Sequence, residues 1–192
     1  MSTLCHSGTK TSNTPHNFSW VIPDKLAGCA VPSYSSEIDG LVDLGVTKLI
    51  TLSEEKLPAQ MNLRDSVSGL KHEIHGCVEF EGIPVDKIVK IIDSIENEIG
   101  AGGKVVVHCR AGNGRTGTVL AAFIMKENNL SSREAIAFVR KLRRWSVETQ
   151  GQENCLVLYG QYLQSGILQD IETTDDDTFS VRSFNFSDDS DE

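Results

Sequence analysis

The sequence predicts an α/β domain with three layers, in which helices flank a mostly parallel central sheet. Segments typical of strands alternate along the chain with segments whose apolar residues recur at helical spacing. One strand-like run, VVVH at residues 105–108, leads through a short glycine-containing loop directly into a helical pattern. Ligands bind at the carboxyl ends of strands in such sheets, so we expect a functional site in that loop.

The sequence of the N-terminal part of the chain predicts two short strands, a helix and a third strand. Polar residues 1–16 are expected to form a flexible arm. Proline and aspartate turn signals bound short apolar runs, which predict strands. The strands are expected at 18–22, 26–31 and 46–52, and a helix is expected over 36–45 with Ser35 or Ser36 as its N-cap and Gly45 as its end.

The middle of the chain predicts a loop, a strand and a long helix. Residues 54–69 are polar and turn-rich, which is typical of a loop. Alternating polarity over 70–75 predicts a half-buried strand, on which we interpret His72 and His75 as strand side chains rather than metal ligands. A stripe of isoleucines predicts a helix over 84–100 that ends at glycines.

Three helices are expected after the central strand. The first starts at Thr116, the second follows a capping box formed by Ser131 and Glu134, and the third spans about 149–164. A basic run separates the last two helices, and we interpret it as a solvated helix end. The alternative is that it helps to hold acidic substrates near the cleft. The run consists of Arg140, Lys141, Arg143 and Arg144.

The loop after residue 108 has the composition of an anion-binding site. Gly112 and Gly114 allow the backbone to curl so that several N–H groups face one point, next to the electropositive N-terminus of a helix. That field favours the thiolate of Cys109, which makes it a nucleophile. Arg115 can hold two phosphoryl oxygens at once, and Thr116 places a hydroxyl beside the sulfur.

Composition favours one soluble domain of roughly 150 residues with tails. The 192 residues carry a net charge of −9, and the nine acidic residues and one arginine from Asp170 onward account for −8 of it. We therefore expect residues 169–192 to form an acidic, disordered tail. No run approaches the roughly 18 apolar residues of a membrane span, and five scattered cysteines favour free thiols in a reducing compartment. We expect an intracellular protein of the cytoplasm or nucleus, without a bound metal or a nucleic-acid partner.

The loop HCRAGNGRTG resembles the H-C-x5-R-T phosphate-binding loop of the cysteine-dependent protein tyrosine phosphatases. With NFSWVIPDKLAGCAVP, DLGVTKLITL and SVETQGQE, the chain is similar to the small atypical dual-specificity phosphatases from about residue 17 to residue 164. The resemblance implies a tyrosine phosphatase-like fold for residues 17–168, with no metal and no added cofactor.

The resemblance also implies a role for each residue that matches the family motif. Cys109 is implied as the nucleophile, Thr116 as the hydroxyl that eases departure of the thiolate, and Gln152 as the residue that places the hydrolytic water. His108 is expected to orient the loop. The phosphate-binding residues are Arg110, Ala111, Gly112, Asn113, Gly114 and Arg115, the last of which clamps the phosphate.

The general acid departs from the family pattern. The family uses an aspartate in a loop between a strand and a helix, and the matching position in HGCVEFEGIPVD is Glu79. A glutamate can donate the proton if the loop accommodates its longer side chain. Two alternatives stay open. Either Glu81 or Asp86 is the general acid instead, or the chain has no dedicated general acid.

Three functions compete at this point. The first is a dual-specificity protein phosphatase that acts on phosphotyrosine and on phosphoserine or phosphothreonine in protein substrates, through a phosphocysteine intermediate. The second is the same chemistry on a phosphoinositide or an RNA 5′-triphosphate, because Arg110 and Asn113 make the loop polar. The third is a phosphate-binding module of low activity. Oxidation of Cys109 to a disulfide with Cys77 or Cys155 is a further possibility.

Overall fold

The computed structural model describes residues 13–54 and 69–166, together with the backbone of residues 168–172 and 180–184. Its main feature is a five-stranded sheet of order β1-β2-β5-β3-β4. The strands are β1 (Ser19–Ile22), β2 (Leu26–Cys29), β3 (Lys48–Thr51), β4 (Lys71–Ile74) and β5 (Val105–His108). Strand β1 pairs antiparallel with β2, whereas β2, β5, β3 and β4 are mutually parallel.

Five described helices cover the two faces of this sheet. The helices are α1 (Ser35–Asp43), α2 (Val85–Gly100), α3 (Gly114–Asn128), α4 (Ser132–Leu142) and α5 (Gln150–Ser165). Helix α1 packs through Ile38 and Leu41 on the face that carries Val106, and the other helices contribute to the core on the face of Val105 and Val107. The predicted three-layer α/β fold is thereby confirmed.

Two helix starts illustrate how local signals act. The predicted capping box of α4 is confirmed, because the Glu134 amide donates to Ser131 Oγ (3.4 Å) while the Ser131 amide donates to the Glu134 carboxylate (3.0 Å). The predicted N-cap of α1 is wrong. Tyr34 is the N-cap. The carboxylate of Glu37 accepts the backbone N–H of Tyr34 at 3.1 Å, so the helix begins without a serine cap.

The described structure begins before the first strand. The carbonyl of His16 accepts the Ala30 N–H at 2.8 Å, and the side chain of Asn13 donates to Ser36 at 2.8 Å. Residues 1–12 of the predicted flexible arm and residues 55–68 of the predicted loop lie outside the described residues. In the acidic tail, β6 (Leu168–Glu172) and β7 (Ser180–Phe184) pair antiparallel as a separate two-stranded sheet.

Two surveys of the described residues bear on the classes of function. No helix in that part of the chain has the length and apolar character needed to cross a membrane. Across the same residues, no group of three or more histidine, cysteine, aspartate or glutamate side chains is arranged to hold a metal ion.

Candidate active site

The loop predicted to bind phosphate, residues 109–115, lies at the carboxyl end of the central strand. Strand β5 is hydrogen-bonded to β2 on one side and to β3 on the other, and Cys109 follows it directly with 3% of its surface exposed. Helix α3 begins five residues later at Gly114, two residues before the predicted start. The loop is therefore held between the middle of the sheet and a buried helix.

The loop requires both of its glycines. Gly112 has a φ of +76°, and a Cβ atom at this position would collide with the carbonyl oxygen of Cys29. A Cβ atom on Gly114 would lie 2.7 Å from Gln152 Nε2 and would also collide with the carboxylate of Glu148. The curled backbone that the sequence predicted is thus packed tightly on two sides.

Arg115 and Glu79 meet beside the loop. Arg115 is buried, its Nη1 donates to the carbonyl of Cys77 at 2.9 Å, and its Nη2 lies 3.2 Å from Glu79 Oε1. The other carboxylate oxygen of Glu79 lies 3.6 Å from Arg110 Nη1. A small cavity of about 110 Å³ is bounded by these three side chains together with Ser53, Glu54 and Cys77. The arrangement places a carboxylate where it can face an anion held by Arg115.

The structure separates the three carboxylates considered as general acid. Glu79 is ion-paired to Arg115, whereas Glu81 is exposed. Asp86 lies in the first turn of α2 and pairs with Lys90 at 3.3 Å. Glu54, which the sequence analysis did not consider, is a further carboxylate that lines the cavity.

The segment that carries Glu79 is docked on the N-terminus of α5. Thr149 Oγ1 donates to the carbonyl of Phe80 at 2.8 Å and, as the N-cap of α5, accepts the Gln152 N–H at 3.2 Å. Phe80 has a φ of +65°, an unusual conformation for an aromatic residue. A Cβ atom on Gly82 would lie 2.6 Å from the carbonyl oxygen of Gly151, so this contact also requires glycine.

Thr116 and Gln152 are completely buried and each has an unpaired polar atom. Thr116 Oγ1 has no hydrogen-bond partner among the described residues. Gln152 Oε1 accepts the Glu148 N–H at 2.8 Å, while its Nε2 has no partner in that same part of the chain. Unpaired buried polar groups are rare in proteins, and both atoms adjoin the phosphate-binding loop.

His108 lies in a buried chain of hydrogen bonds behind the loop. Its Nδ1 is 3.4 Å from the carbonyl of Cys109, its Nε2 is 2.7 Å from Thr51 Oγ1, and that hydroxyl is 2.8 Å from His72 Nε2. Burial lowers the pKa of His108 to about 4. Because a carbonyl oxygen can only accept, Nδ1 carries the proton and Nε2 accepts from Thr51. A neutral imidazole with both nitrogens engaged is suited to orient the loop.

Two residues of the site were not identified from the sequence. Arg143, which we interpreted as part of a solvated helix end, is 4% exposed and donates to the carbonyl of Gly112 at 2.7 Å, so that interpretation is wrong. Helix α4 ends at Leu142, and the C-cap Arg143 has φ −140° and ψ 83°, so helical spacing no longer predicts where its side chain points. The second residue is Asn17, whose Nδ2 donates to Asn113 Oδ1 at 2.9 Å. The backbone of Asn17 has a φ of +57°.

Four of the cysteines are described, and all four are free and buried. Burial raises the pKa of Cys77 and of Cys155 to about 11. Burial likewise raises the pKa of Cys29. Thiols with a raised pKa are poor nucleophiles at neutral pH.

The chain matches a known family over most of the described residues. The model of the DSP-PTPase phosphatase domain of the Swiss Army Knife proteins matches residues 15–156. The chain belongs to this family. It is a small atypical dual-specificity phosphatase domain of the cysteine-dependent protein tyrosine phosphatase superfamily, as the loop motif indicated.

Curated relatives of this phosphatase domain are considerably longer proteins. Human dual specificity protein phosphatase CDC14C is 32% identical over 142 residues, which are 66% of this chain and 30% of the relative. The protein tyrosine phosphatase domain-containing protein 1 of Danio rerio is 44% identical over 61 residues, which are 32% of this chain and 9% of the relative. The chain thus spans less than a third of the length of these relatives.

Solved structures of phosphatases share the fold of this domain. Tk-PTP in its active form superposes with a TM-score of 0.68 and 28% identity, over 76% of this chain and 97% of that chain. PTPMT1 in complex with PI(5)P superposes with a TM-score of 0.69 over 78% of this chain and 97% of that chain. At 19% identity, the second similarity shows the fold alone.

Proposed function

We propose that this domain is a cysteine-dependent protein phosphatase that hydrolyses phosphotyrosine and phosphoserine or phosphothreonine through a phosphocysteine intermediate. The observation that carries the proposal is the placement of Cys109 at the end of the central strand, in a glycine-dependent loop closed by Arg115 and faced by Glu79. Nucleophile, anion clamp and proton donor are the three groups that this reaction requires.

In the first step, the thiolate of Cys109 attacks the phosphorus atom of a bound phosphomonoester. The loop amides and Arg115 stabilise the charge on the equatorial oxygens. The bond from phosphorus to the leaving oxygen breaks, and that oxygen takes the proton of Glu79. The product alcohol leaves and a phosphocysteine remains.

In the second step, water attacks the same phosphorus atom and the bond to sulfur breaks. Glu79, now a carboxylate, accepts the proton of the water. The unpaired Nε2 of Gln152 orients that water, and the unpaired hydroxyl of Thr116 donates to the departing thiolate. Inorganic phosphate is released and the enzyme returns to its initial state.

Substitution of the nucleophile tests the reaction. We expect Cys109→Ser to abolish turnover of aryl phosphates because a serine hydroxyl is not ionised at neutral pH, and to retain phosphate binding because the loop and Arg115 are unchanged. Turnover and calorimetric binding of phosphate are the two measurements. Turnover that survives in Cys109→Ser would rule out the phosphocysteine route.

Arg110 supports a second candidate, which is the same chemistry on a more highly charged substrate. Its side chain is 70% exposed at the mouth of the cavity, where it provides a cation in addition to Arg115. The test is to compare turnover of phosphopeptides, inositol phospholipids and 5′-triphosphate RNA by the wild-type protein and by Arg110→Gln. A preference for lipid or RNA that is lost in Arg110→Gln would favour the second candidate, and binding without turnover of any substrate would indicate a phosphate-binding module.

A further inference from the structure

Arg143 is a buried cation that contacts several separate parts of the chain. Its Nη2 donates to the carbonyl of Gly112 at 2.7 Å. Its Nη1 lies within hydrogen-bond distance of the carbonyl of Asn17 (2.8 Å), Ser19 Oγ (2.6 Å) and the carbonyl of Gly28 (2.8 Å). The guanidinium thus joins the phosphate-binding loop to strands β1 and β2 and to the residues before them.

The space for this guanidinium is provided by a glycine. A Cβ atom on Gly28 would lie 3.2 Å from Arg143 Cζ and 2.8 Å from side-chain atoms of Thr116 and Leu120. Strand β2 therefore has no side chain at Gly28, where the guanidinium of Arg143 packs against it. Such a fit indicates that the arginine is an integral part of the domain rather than a surface residue.

The contact with Gly112 completes a pattern along the loop. The carbonyls of Arg110, Ala111 and Gly112 accept hydrogen bonds from Val31 N–H (3.1 Å), Asn17 Nδ2 (3.1 Å) and Arg143 Nη2 (2.7 Å). Three successive carbonyls are thus held by donors from outside the loop. In a planar trans peptide the C=O and N–H bonds point in opposite directions. Anchoring the three carbonyls therefore turns the N–H groups of residues 111–113 to the opposite side, where a phosphoryl group binds.

No carboxylate among the described residues is paired with the charge of Arg143. Among the described residues, its hydrogen-bond acceptors are three carbonyl oxygens and one hydroxyl. Burial lowers the pKa of Arg143, and the thiol groups of Cys29 and Cys109 act in the opposite direction. A buried cation without a carboxylate partner is costly unless an anion compensates it. The thiolate of Cys109 and the bound phosphoryl group are the anions that the site brings near it.

We propose that Arg143 is a positioning residue of the phosphate-binding loop. Its guanidinium holds the carbonyl of Gly112, so that the Asn113 N–H faces the phosphoryl group. The guanidinium also adds positive charge next to the loop. The proposal rests on the proposed function. It assigns a role in substrate binding to a residue that does not touch substrate.

Substitutions of Arg143 test this role with Lys141→Met as the matched control, since Lys141 belongs to the same basic run and is exposed. We expect Arg143→Met to bind orthovanadate at least tenfold more weakly and to raise KM for an aryl phosphate more than it lowers kcat. We also expect slower alkylation of Cys109 by iodoacetamide at pH 6. Lysine keeps the charge but lacks the guanidinium fork, so Arg143→Lys should restore alkylation more fully than vanadate affinity.

The outcomes separate this inference from the proposed function. If the wild-type protein neither hydrolyses aryl phosphates nor binds vanadate, the proposed function fails. If the wild type does both, and the folded Arg143→Met or Arg143→Lys protein binds vanadate as the wild type does, the inference is overturned. Should neither variant fold, the NMR signal of the Asn113 amide in the wild-type protein decides. It shifts on addition of vanadate if the inference holds, and an unshifted signal overturns it.

Discussion

Glu79, which we propose as the general acid, is accommodated beside the loop despite its long side chain. Its carboxylate lies between Arg115 (3.2 Å) and Arg110 (3.6 Å), and its side chain is 37% exposed, so it meets both the clamp and solvent. A proton donor needs this access, because it must regain a proton from water in each cycle.

We predict that Glu79→Gln lowers kcat without abolishing cysteine chemistry. General acid catalysis contributes roughly 10²- to 10⁴-fold, and the loss should be larger for phenyl phosphate than for 4-nitrophenyl phosphate, whose leaving group needs less protonation. The decline of kcat toward alkaline pH should also flatten, because that limb reports deprotonation of the general acid. Glu81→Gln, an exposed neighbour, is the control. An unchanged pH profile in Glu79→Gln would reject the role.

Substitution of Thr116 should affect stability and activity in different ways. Its buried hydroxyl lacks a partner among the described residues, and an unsatisfied polar group costs roughly 1–3 kcal/mol. We predict that Thr116→Val leaves the melting temperature unchanged or raises it. A hydrogen bond to a charged group contributes roughly 1.5–3 kcal/mol, so turnover should fall roughly 10- to 100-fold. Stopped-flow kinetics should show a burst of released alcohol as phosphocysteine accumulates. A steady state without a burst would argue against a role in the second step.

The N-terminus of α5 connects the segment of the proposed acid, Glu79, to the helix of Gln152, the residue proposed to place water. Thr149 contacts the carbonyl of Phe80 and caps the helix that carries Gln152. Movement of the acid segment and movement of the water-placing residue are therefore linked through one hydroxyl.

We predict that Thr149→Val and Ser131→Ala destabilise the domain similarly but differ in their effect on activity. Each change removes an N-cap, which costs about 1 kcal/mol. Ser131 caps α4 and contacts Glu134 rather than the acid segment, so kcat should be unchanged in Ser131→Ala and should fall in Thr149→Val. Urea denaturation and kcat are the two measurements. Equal kcat in both variants would show that the Phe80 contact does not serve catalysis.

The elements that the sequence predicted well are those with a local signal. The stripe of isoleucines in α2 and the capping box of α4 act within a few residues, so spacing alone reveals them. The run from β5 through the loop into α3 is similarly local, and it carries Cys109 and Arg115. Glu79 was located by counting back from the loop, and the structure brings it to Arg115.

What could not be predicted depends on tertiary contacts. Arg143 and Asn17 reach the loop from distant parts of the chain, and neither position has a periodic or motif signal. The N-cap of α1 was misplaced because Glu37, within the helix, accepts the N–H groups of Ser33 and Tyr34 and so fixes the chain before the helix. The pairing order of the strands, with β5 between β2 and β3, also arises from packing of the whole domain.

For the whole molecule, we predict that stability decreases as the pH falls. The folded-state pKa of His108 is about 4, below its ordinary value of 6.5, because of burial. Between these values the unfolded chain binds a proton that the folded protein does not, so the free energy of unfolding rises with pH. This contribution is fully present above pH 6.5, is lost as the pH falls toward 4, and amounts to at most about 3 kcal/mol. Burial lowers the pKa of His72 in the same direction.

A second decline is expected at lower pH. Burial opposes ionisation of Glu73, but hydrogen bonds from Lys48, Ser94 and His75 lower the pKa of Glu73 to about 2 from its ordinary value of 4.5. Its stabilising contribution is therefore present above pH 4.5 and lost below it. Urea denaturation at pH 7.5, 5.5 and 4 measures the first effect, and extending the series to pH 3 measures the second. His108→Gln should reduce the slope between pH 6.5 and 4, and an identical slope would contradict the assignment to His108.

The central position of β5 has a consequence for how the domain loses activity. A strand bonded on both edges and covered by buried α3 cannot detach by fraying, so its amide protons exchange with solvent only when the whole cooperative unit opens. Cys109 directly follows this strand. Partial opening elsewhere therefore leaves Cys109 in place, so we expect its surroundings to be lost only on global unfolding.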